Sequence, residues 1–394
     1  METYPCKGFR AAGVAAGLKK NGHKDLGLIA STTPAVAAGV FTQNRVQAAP
    51  VMLDRERIRS GLCQAVVANS GNANCCTGEA GMQAARETAR LAASALGISE
   101  DLVLVASTGV IGQPLPVDKI GGVMPALAAS LQPDGFKTFA EAIMTTDTVP
   151  KLISREGMLA GKPFTIVGAA KGAGMIAPNM ATLLCFVCTD IGATADQLHA
   201  CLSESVQQSF NRITVDGDTS TNDTALILAS GLSGAVIRGA DDQAVFQKVL
   251  SGVLIDLAKL LVKDGEGATK LVEVCVKGAA SEGDARKIAD TVANSNLVKT
   301  AIFGEDANWG RILAAAGRSG VALDPNRTDI FFNDVLMFSE GSGRGAAAED
   351  EVSRILKRPE FVITVDIHDG DCRSSVWTCD FSVDYVRINA DYRS

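Results

Sequence analysis

Short apolar runs that read as strands alternate along the chain with stretches of helical spacing. Residues 26–30, 37–41 and 65–68 form three such runs, separated by Gly, Pro and Asn punctuation. Residues 81–96 then place Ala, Leu and charged side chains at helical spacing, and an apolar strand at 102–106 ends in Ser107-Thr-Gly-Val-Ile-Gly112. A second helix is predicted over 117–131. Residues 139–144 lead into Thr145-Thr-Asp-Thr148, and two strands follow at 151–156 and 163–168.

Beyond residue 187, Thr194-x-x-Gln197 has the spacing of a capping box, and Leu198, Cys201, Leu202 and Val206 share one face, so a helix begins there. The segment 211–223 is dense in polar turn formers and precedes a strand at 225–228. A long amphipathic helix over 242–263 leads through Asp264-Gly-Glu-Gly-Ala-Thr-Lys270 to a strand ending at Val276. Later come a helix at 295–301, a turn at Asn308-Trp-Gly310, strands at 328–332 and 362–368, and a last strand at 374–386. Strands too apolar to face water on one side require cover on both, which gives an α/β fold of layered sheets sandwiched between helices. The pattern shows no linker and no internal repeat, and does not set the strand order.

The 394 residues and 47% hydrophobic content suffice for about two domains or one large two-layer body. A net charge of −7, 5% aromatics and the lack of a long basic stretch argue against nucleic acid as a partner, because phosphates must be neutralised by Lys and Arg. A small-molecule substrate fits this balance better. Residues 249–262, the most apolar later segment, contain Asp256 and Lys259, which argues against a membrane span. An acid at position 2 and no apolar core before Lys19-Lys20 argue against a presequence, and the expected location is cytoplasmic.

Ten cysteines are scattered without a framework and read as reduced, mostly buried thiols. Cys185-x-x-Cys188 lacks further ligands at zinc spacing, and His23, His199 and His368 are isolated, so no metal site is expected. Cys75 and Cys76 are adjacent and too close for an easy bridge.

Three motifs fail on their own requirements. Gly172-x-Gly174-x-x-Ala177 matches a dinucleotide fingerprint in letters, but Pro178, Asn179 and a strand follow where a helix should start. Gly265-Glu-Gly-Ala-Thr-Lys270 lacks the phosphate-loop spacing. Asp216-x-Asp218-x-Ser220-x-Asn222 opens like a calcium loop but has Thr221 where Gly is needed and Ile227 where Glu is needed.

The stretch from Lys171 to Cys188 carries more. A glycine segment and a proline turn run into an apolar strand at 181–187, with Thr182 at the seam. Thr is a good strand former, so a buried strand accounts for it. A chemical account is also open. No Ser-His-Asp set presents itself, and a hydroxyl nucleophile without His needs another base. The α-amine of an N-terminal Thr has an unperturbed pKa of about 7.7–8 and lies within reach of its own Oγ. That chemistry requires the chain to be cut before Thr182, with its hydroxyl attacking the carbonyl of Ala181. Ser107-Thr108-Gly109, at a strand end, could supply the matching oxyanion hole.

Lys171-Gly-Ala-Gly-Met-Ile-Ala-Pro-Asn-Met-Ala-Thr-Leu-Leu184 closely resembles the cleavage signature of the ornithine acetyltransferases, also called glutamate N-acetyltransferases of arginine biosynthesis. The resemblance extends to Ala68-Asn-Ser-Gly-Asn-Ala-Asn74, Ser107-Thr-Gly109, Thr145-Thr-Asp-Thr148, Asp264-Gly-Glu-Gly-Ala-Thr-Lys270 and Ile388-Asn-Ala-Asp-Tyr-Arg-Ser394. It implies a single precursor that cuts itself between Ala181 and Thr182 into an α chain (1–181) and a β chain (182–394), assembled as α2β2 or larger. Thr182 would then take acetyl from N2-acetylornithine, release ornithine, and pass the acetyl to glutamate to give N-acetylglutamate. By the same resemblance Thr108 and Gly109 stabilise the oxyanion, and Thr148, Lys171, Thr182, Glu266, Asn389 and Ser394 bind substrate.

The family usually ends in Thr, so Ser394 keeps the hydroxyl and loses a methyl. No cofactor is implied. Some relatives use acetyl-CoA as a co-substrate, and no stretch of this sequence decides that point. Two other readings stand beside this one: an autoprocessed N-terminal-nucleophile amidase or aminopeptidase with water as acceptor, and a non-catalytic small-molecule binding protein.

Overall fold

The computed structural model describes residues 3–177 and 183–391. The expected cleavage pair Ala181 and Thr182, and the terminal Ser394, lie outside the described residues. In chain order the strands are β1 (Phe9–Val14), β2 (Leu26–Phe41), β3 (Leu62–Asn72), β4 (Val103–Val110), β5 (Lys151–Leu159), β6 (Lys162–Lys171), β7 (Leu184–Thr189), β8 (Ile213–Thr214), β9 (Thr224–Ala229), β10 (Leu271–Ala279), β11 (Asp329–Phe332), β12 (Val335–Ser339), β13 (Ser342–Gly343), β14 (Glu360–Asp366) and β15 (Cys372–Cys379). The chain divides into two units, Met1–Asn211 with Asp218–Leu261, and Arg212–Gly217 with Val262–Ser394.

The first unit is built on a sheet of order β4-β3-β2-β9-β7-β6-β5, with β1 paired to the first half of β2. Pairs β3–β4 and β7–β9 are parallel and the others antiparallel. Alternate residues leave the sheet on opposite faces. On β3, Ala65 and Val67 join a core with the helices Gly78–Leu96 and Val117–Ala129, through Ala85, Ala89, Ile120 and Met124. Val66 and Ala68 join the opposite core, with Phe136 and Phe139 of the helix Phe136–Ile143 and Phe186 of β7. Burial on both faces is why these strands are apolar throughout.

The second unit carries a sheet of order β13-β12-β11-β14-β10-β15-β8, in which β10–β14 and β15–β8 are parallel. Val272, Val274 and Val276 of β10 pack with Ala285, Ile288 and Val292 of the helix Glu282–Ala293 and with Ile312 and Ala316 of the helix Trp309–Gly317. Both units are mixed α and β, so the layered α/β expectation holds.

Several boundaries differ from the sequence reading. The runs at 26–30 and 37–41 are one strand, because β2 passes its pairing from β1 and β3 to β9, with a register shift between Ala30 and Ala35 that accommodates Pro34. The strand expected at 102–106 runs on to Val110, so Ser107-Thr108-Gly109 forms its last part. The last strand stops at Cys379, and a helix, Val383–Ala390, follows, its first turn capped by the Ser382 hydroxyl accepting from Tyr385 N–H at 3.4 Å. Asn308 is a helix N-cap, accepting from Arg311 N–H at 3.1 Å. The capping box at Thr194 and Gln197 is present and starts the helix Ala195–Gln208.

Among the described residues no helix is long and apolar enough to cross a membrane, and no group of three or more His, Cys, Asp or Glu is placed to hold a metal ion. Seven of the ten cysteines are buried and none is in a disulfide; the Cys75 and Cys76 sulfurs are in hydrogen-bond contact at 3.6 Å.

Candidate active site

Strands β4 and β6 bring Thr108 and Lys171 together in the first unit. Lys171, the last residue of β6, is buried, and its ammonium donates to Thr145 Oγ1 at 2.8 Å and to Thr108 Oγ1 at 3.3 Å. Because Thr108 Oγ1 accepts from a cation, its own hydrogen is left to donate to something else. Gly109 is paired with Gly71 across β3–β4 and has φ +134°. A side chain there would place Cβ 2.4 Å from the Gly71 carbonyl carbon and 2.5 Å from Asn72 N, so only glycine fits this approach.

The strand end is held from both sides. Ser107 Oγ donates to Asn69 Oδ1 at 2.6 Å, and buried Asn222 donates through Nδ2 to the carbonyls of Ala73 (2.7 Å) and Ser107 (2.8 Å).

Asp147 orders the cations. Its Oδ1 accepts from Lys151 Nζ at 2.6 Å and from Gly172 N–H at 2.7 Å, its Oδ2 accepts from Thr145 N–H at 2.8 Å, and Lys171 Nζ lies 4.0 Å away. Burial by itself pushes this carboxyl up. The Lys171 and Lys151 ammonium groups and the hydrogen bonds to the carboxylate outweigh that, and hold Asp147 well below the usual carboxylate range. Thr148, its neighbour, is exposed.

Asp223, fully buried, accepts from Leu183 N–H through Oδ1 at 3.0 Å, while its Oδ2 has no hydrogen-bond partner among the described residues. Burial drives its pKa well above the ordinary value, against the opposing pull of the Leu183 N–H.

In the second unit, Asn389 Nδ2 donates to Glu266 Oε2 at 2.7 Å. The loop carrying Glu266 is pinned beneath the helix Val383–Ala390. Ser382 Oγ donates to the Gly267 carbonyl at 2.6 Å, and a Cβ at Gly267, φ +69°, would lie 2.5 Å from Tyr385 N. Asp380 accepts from Thr269 N–H at 2.7 Å, Thr269 Oγ1 at 2.6 Å and Lys270 N–H at 3.0 Å.

The structure thus brings Thr108, Gly109 and Lys171 together in one unit and Glu266 with Asn389 in the other. The sequence reading missed Thr145, Asp147, Lys151 and Asp223. For the first three there was a signal, since Thr145-Thr-Asp-Thr148 precedes a strand starting with a Lys at i+4 from the Asp. Asp223 read as one more turn former.

Fold and site define a layered α/β protein whose sheet end presents a hydroxyl and a glycine beside a buried lysine. Comparison with known proteins narrows this. The ArgJ family matches residues 10–394. The chain is 55% identical over 390 residues to the arginine biosynthesis bifunctional protein ArgJ of Geobacter sulfurreducens, covering 98% of this chain and 99% of that one. It is 54% identical over 391 residues to that of Symbiobacterium thermophilum, covering 98% and 97%. A crystal structure of the Bacillus halodurans arginine biosynthesis bifunctional protein ArgJ is 42% identical with TM-score 0.50, covering 52% of this chain and 97% of that chain. The chain belongs to the ArgJ family.

Proposed function

We propose that this acyltransferase of arginine biosynthesis cuts itself between Ala181 and Thr182 and uses the new N-terminal Thr182 as its nucleophile. The chains 1–181 and 182–394 would stay associated, because β7 and β9 of the second piece sit between β6 and β2 of the first within one sheet. The observation that carries the reading is the register Lys171↔Leu184. Two trans peptide links separate Thr182 Cα from Leu184 Cα, a span of at most about 7.6 Å. The described chain resumes at Leu183, whose N–H is held by Asp223, and Leu184 pairs with Lys171, the residue that meets Thr108; this supports a nucleophile at the preceding residue.

In the first half-reaction Thr182 Oγ attacks the acetyl carbonyl of N2-acetylornithine. The O–C bond forms, the amide C–N bond breaks, and the hydroxyl proton passes through the α-amine to the departing ornithine nitrogen. In the second, the glutamate amine attacks the ester, giving N-acetylglutamate and returning a proton to Thr182 Oγ. Thr108 and Gly109 stabilise the oxyanion in both steps, a contribution of about 10²–10³ in rate per donor. Thr148, Lys171, Glu266, Asn389 and Ser394 are the substrate-binding residues of this reading, the Glu266 carboxylate being suited to an ammonium group. No cofactor takes part, and acetyl-CoA would enter only as a co-substrate loading the same hydroxyl. The enzyme acts in the cytoplasm as an α2β2 or larger assembly.

With N2-acetylornithine and glutamate both present, N-acetylglutamate should accumulate in step with ornithine. Dominant release of free acetate under those conditions would instead favour an amidase.

A further inference from the structure

A cleft of about 440 Å³ opens in the first unit against the floor made by Thr145 and Asp147, and Lys19, Lys24 and Glu141 stand on its other sides. Its volume lies in the range of small-molecule sites, about 300–1,000 Å³. Lys19 reaches it from a loop whose backbone is fixed by side-chain hydrogen bonds. Asp25, fully buried, accepts from the N–H groups of Ala16 (2.6 Å), Leu18 (2.6 Å) and Lys19 (2.9 Å), and Lys119 Nζ donates to the Gly17 carbonyl at 2.6 Å. The stem of Lys19 lies on Gly71, where a Cβ would meet Lys19 Cγ at 3.1 Å. Gly71 is the register partner of Gly109, so Lys19 packs on β3 at the residue paired with the proposed oxyanion glycine.

The ammonium group spends one hydrogen on the Lys24 carbonyl at 2.8 Å, and an ammonium has three. Lys24 is paired with Glu141 at 2.5 Å, and Asp147 is already claimed by Lys151 and Lys171. Among the described residues, Lys19 is thus the cation of the cleft that has no side-chain ion pair.

We propose that Lys19 is a further substrate-binding residue of this site, whose ammonium group holds a carboxylate of the amino-acid acceptor. The inference rests on the acetyl-transfer reading for the identity of that acceptor. Glutamate has two carboxylates and ornithine one, so the acceptor needs a second cation beyond Lys171. Burial, with Lys171 nearby and against the pull of Asp25 and Asp147, brings the Lys19 pKa down to about 8. The groups facing it are Asp25 on its own loop, Lys171 and Asp147 behind it, and Lys24, His23 and Glu141 around the cleft. Its hold on a carboxylate should therefore weaken as pH rises through about 8.

The test is equilibrium binding of L-glutamate and of L-ornithine to the full protein by calorimetry, for wild type, Lys19→Met and Lys19→Arg, at pH 7 and 9. A hydrogen bond to a charged group is worth about 1.5–3 kcal/mol, so Lys19→Met should weaken glutamate binding by about 10- to 100-fold. Lys19→Arg, which stays charged, should restore most of it and remove the weakening at pH 9. If ornithine binding is untouched, the carboxylate held is the side-chain one; if both fall equally, it is the α-carboxylate the two share. An unchanged Kd for both ligands in Lys19→Met, or no glutamate binding by wild type, overturns the proposal. Acetyl transfer by wild type is measured separately, and its absence would count against the function while the Kd values still decide Lys19.

Discussion

Replacing Gly109 by Ala tests whether the close approach of β3 and β4 shapes the oxyanion site. The new Cβ would stand 2.4 Å from the Gly71 carbonyl carbon, where 3.4 Å begins ordinary contact, and both obstructing atoms are backbone. The strands must therefore part by about 1 Å, a misplacement that can cost about 10²-fold in rate. Losing one oxyanion donor costs about 10²–10³. We expect kcat for acetyl transfer to fall by about 10²–10³ in Gly109→Ala, equivalent to about 2.7–4 kcal/mol. Gly112→Ala is the matched control. Its φ of +81° brings similar backbone strain, but nothing lies within 4 Å of the added methyl, so stability should drop by about 1–2 kcal/mol with kcat close to wild type. Steady-state transfer rates and thermal melts on all three proteins decide the matter. Thr108→Val, which removes the hydroxyl and keeps the shape, serves if Gly109→Ala does not fold. A folded Gly109→Ala with wild-type kcat would refute the reasoning.

Asp147→Ala should destabilise the first unit by about 3–5 kcal/mol in urea unfolding, because the buried Lys151 loses its ion pair with Asp147; a loss under about 1 kcal/mol would show that water or another group replaces it. The folded pKa of Asp147 is depressed, so its contribution is fully present above the unfolded value of about 3.9 and is lost as pH falls toward the folded one. Wild type should accordingly lose stability below about pH 4 more steeply than Asp147→Ala, as read from unfolding midpoints along an acid series.

Much of the fold was legible because burial on both faces leaves a plain apolar signature. The strands at β4, β7, β9, β10 and β14, and the capping box at Thr194, were found close to where they stand. The helix Glu282–Ala293 was missed although Ser281 and Asp284 mark its start and Ala285, Ile288, Ala289 and Val292 line one face. The strand expected through 386 was misjudged because its apolar residues continue past the Ser382 cap, where Val383 and Val386 are exposed. Strand order lay beyond the sequence, since it depends on pairings such as β2 with β9 that join residues nearly 200 apart. At the site, the resemblance singled out Thr108, Gly109, Lys171, Glu266 and Asn389. The residues that hold them, Asp147, Asp223, Asp380 and Asn222, are short polar side chains that in sequence look like turns, and only burial distinguishes them.

The central claim is that Thr182 becomes a chain terminus and carries the acetyl group. Intact mass measurement of the purified protein, before and after incubation with N2-acetylornithine without glutamate, addresses it directly. The account predicts two chains ending at Ala181 and beginning at Thr182, the second gaining the mass of one acetyl group on Thr182 and losing it when glutamate is added. A single uncut chain that transfers acetyl, or an acetyl group stably placed on any other residue, would contradict it.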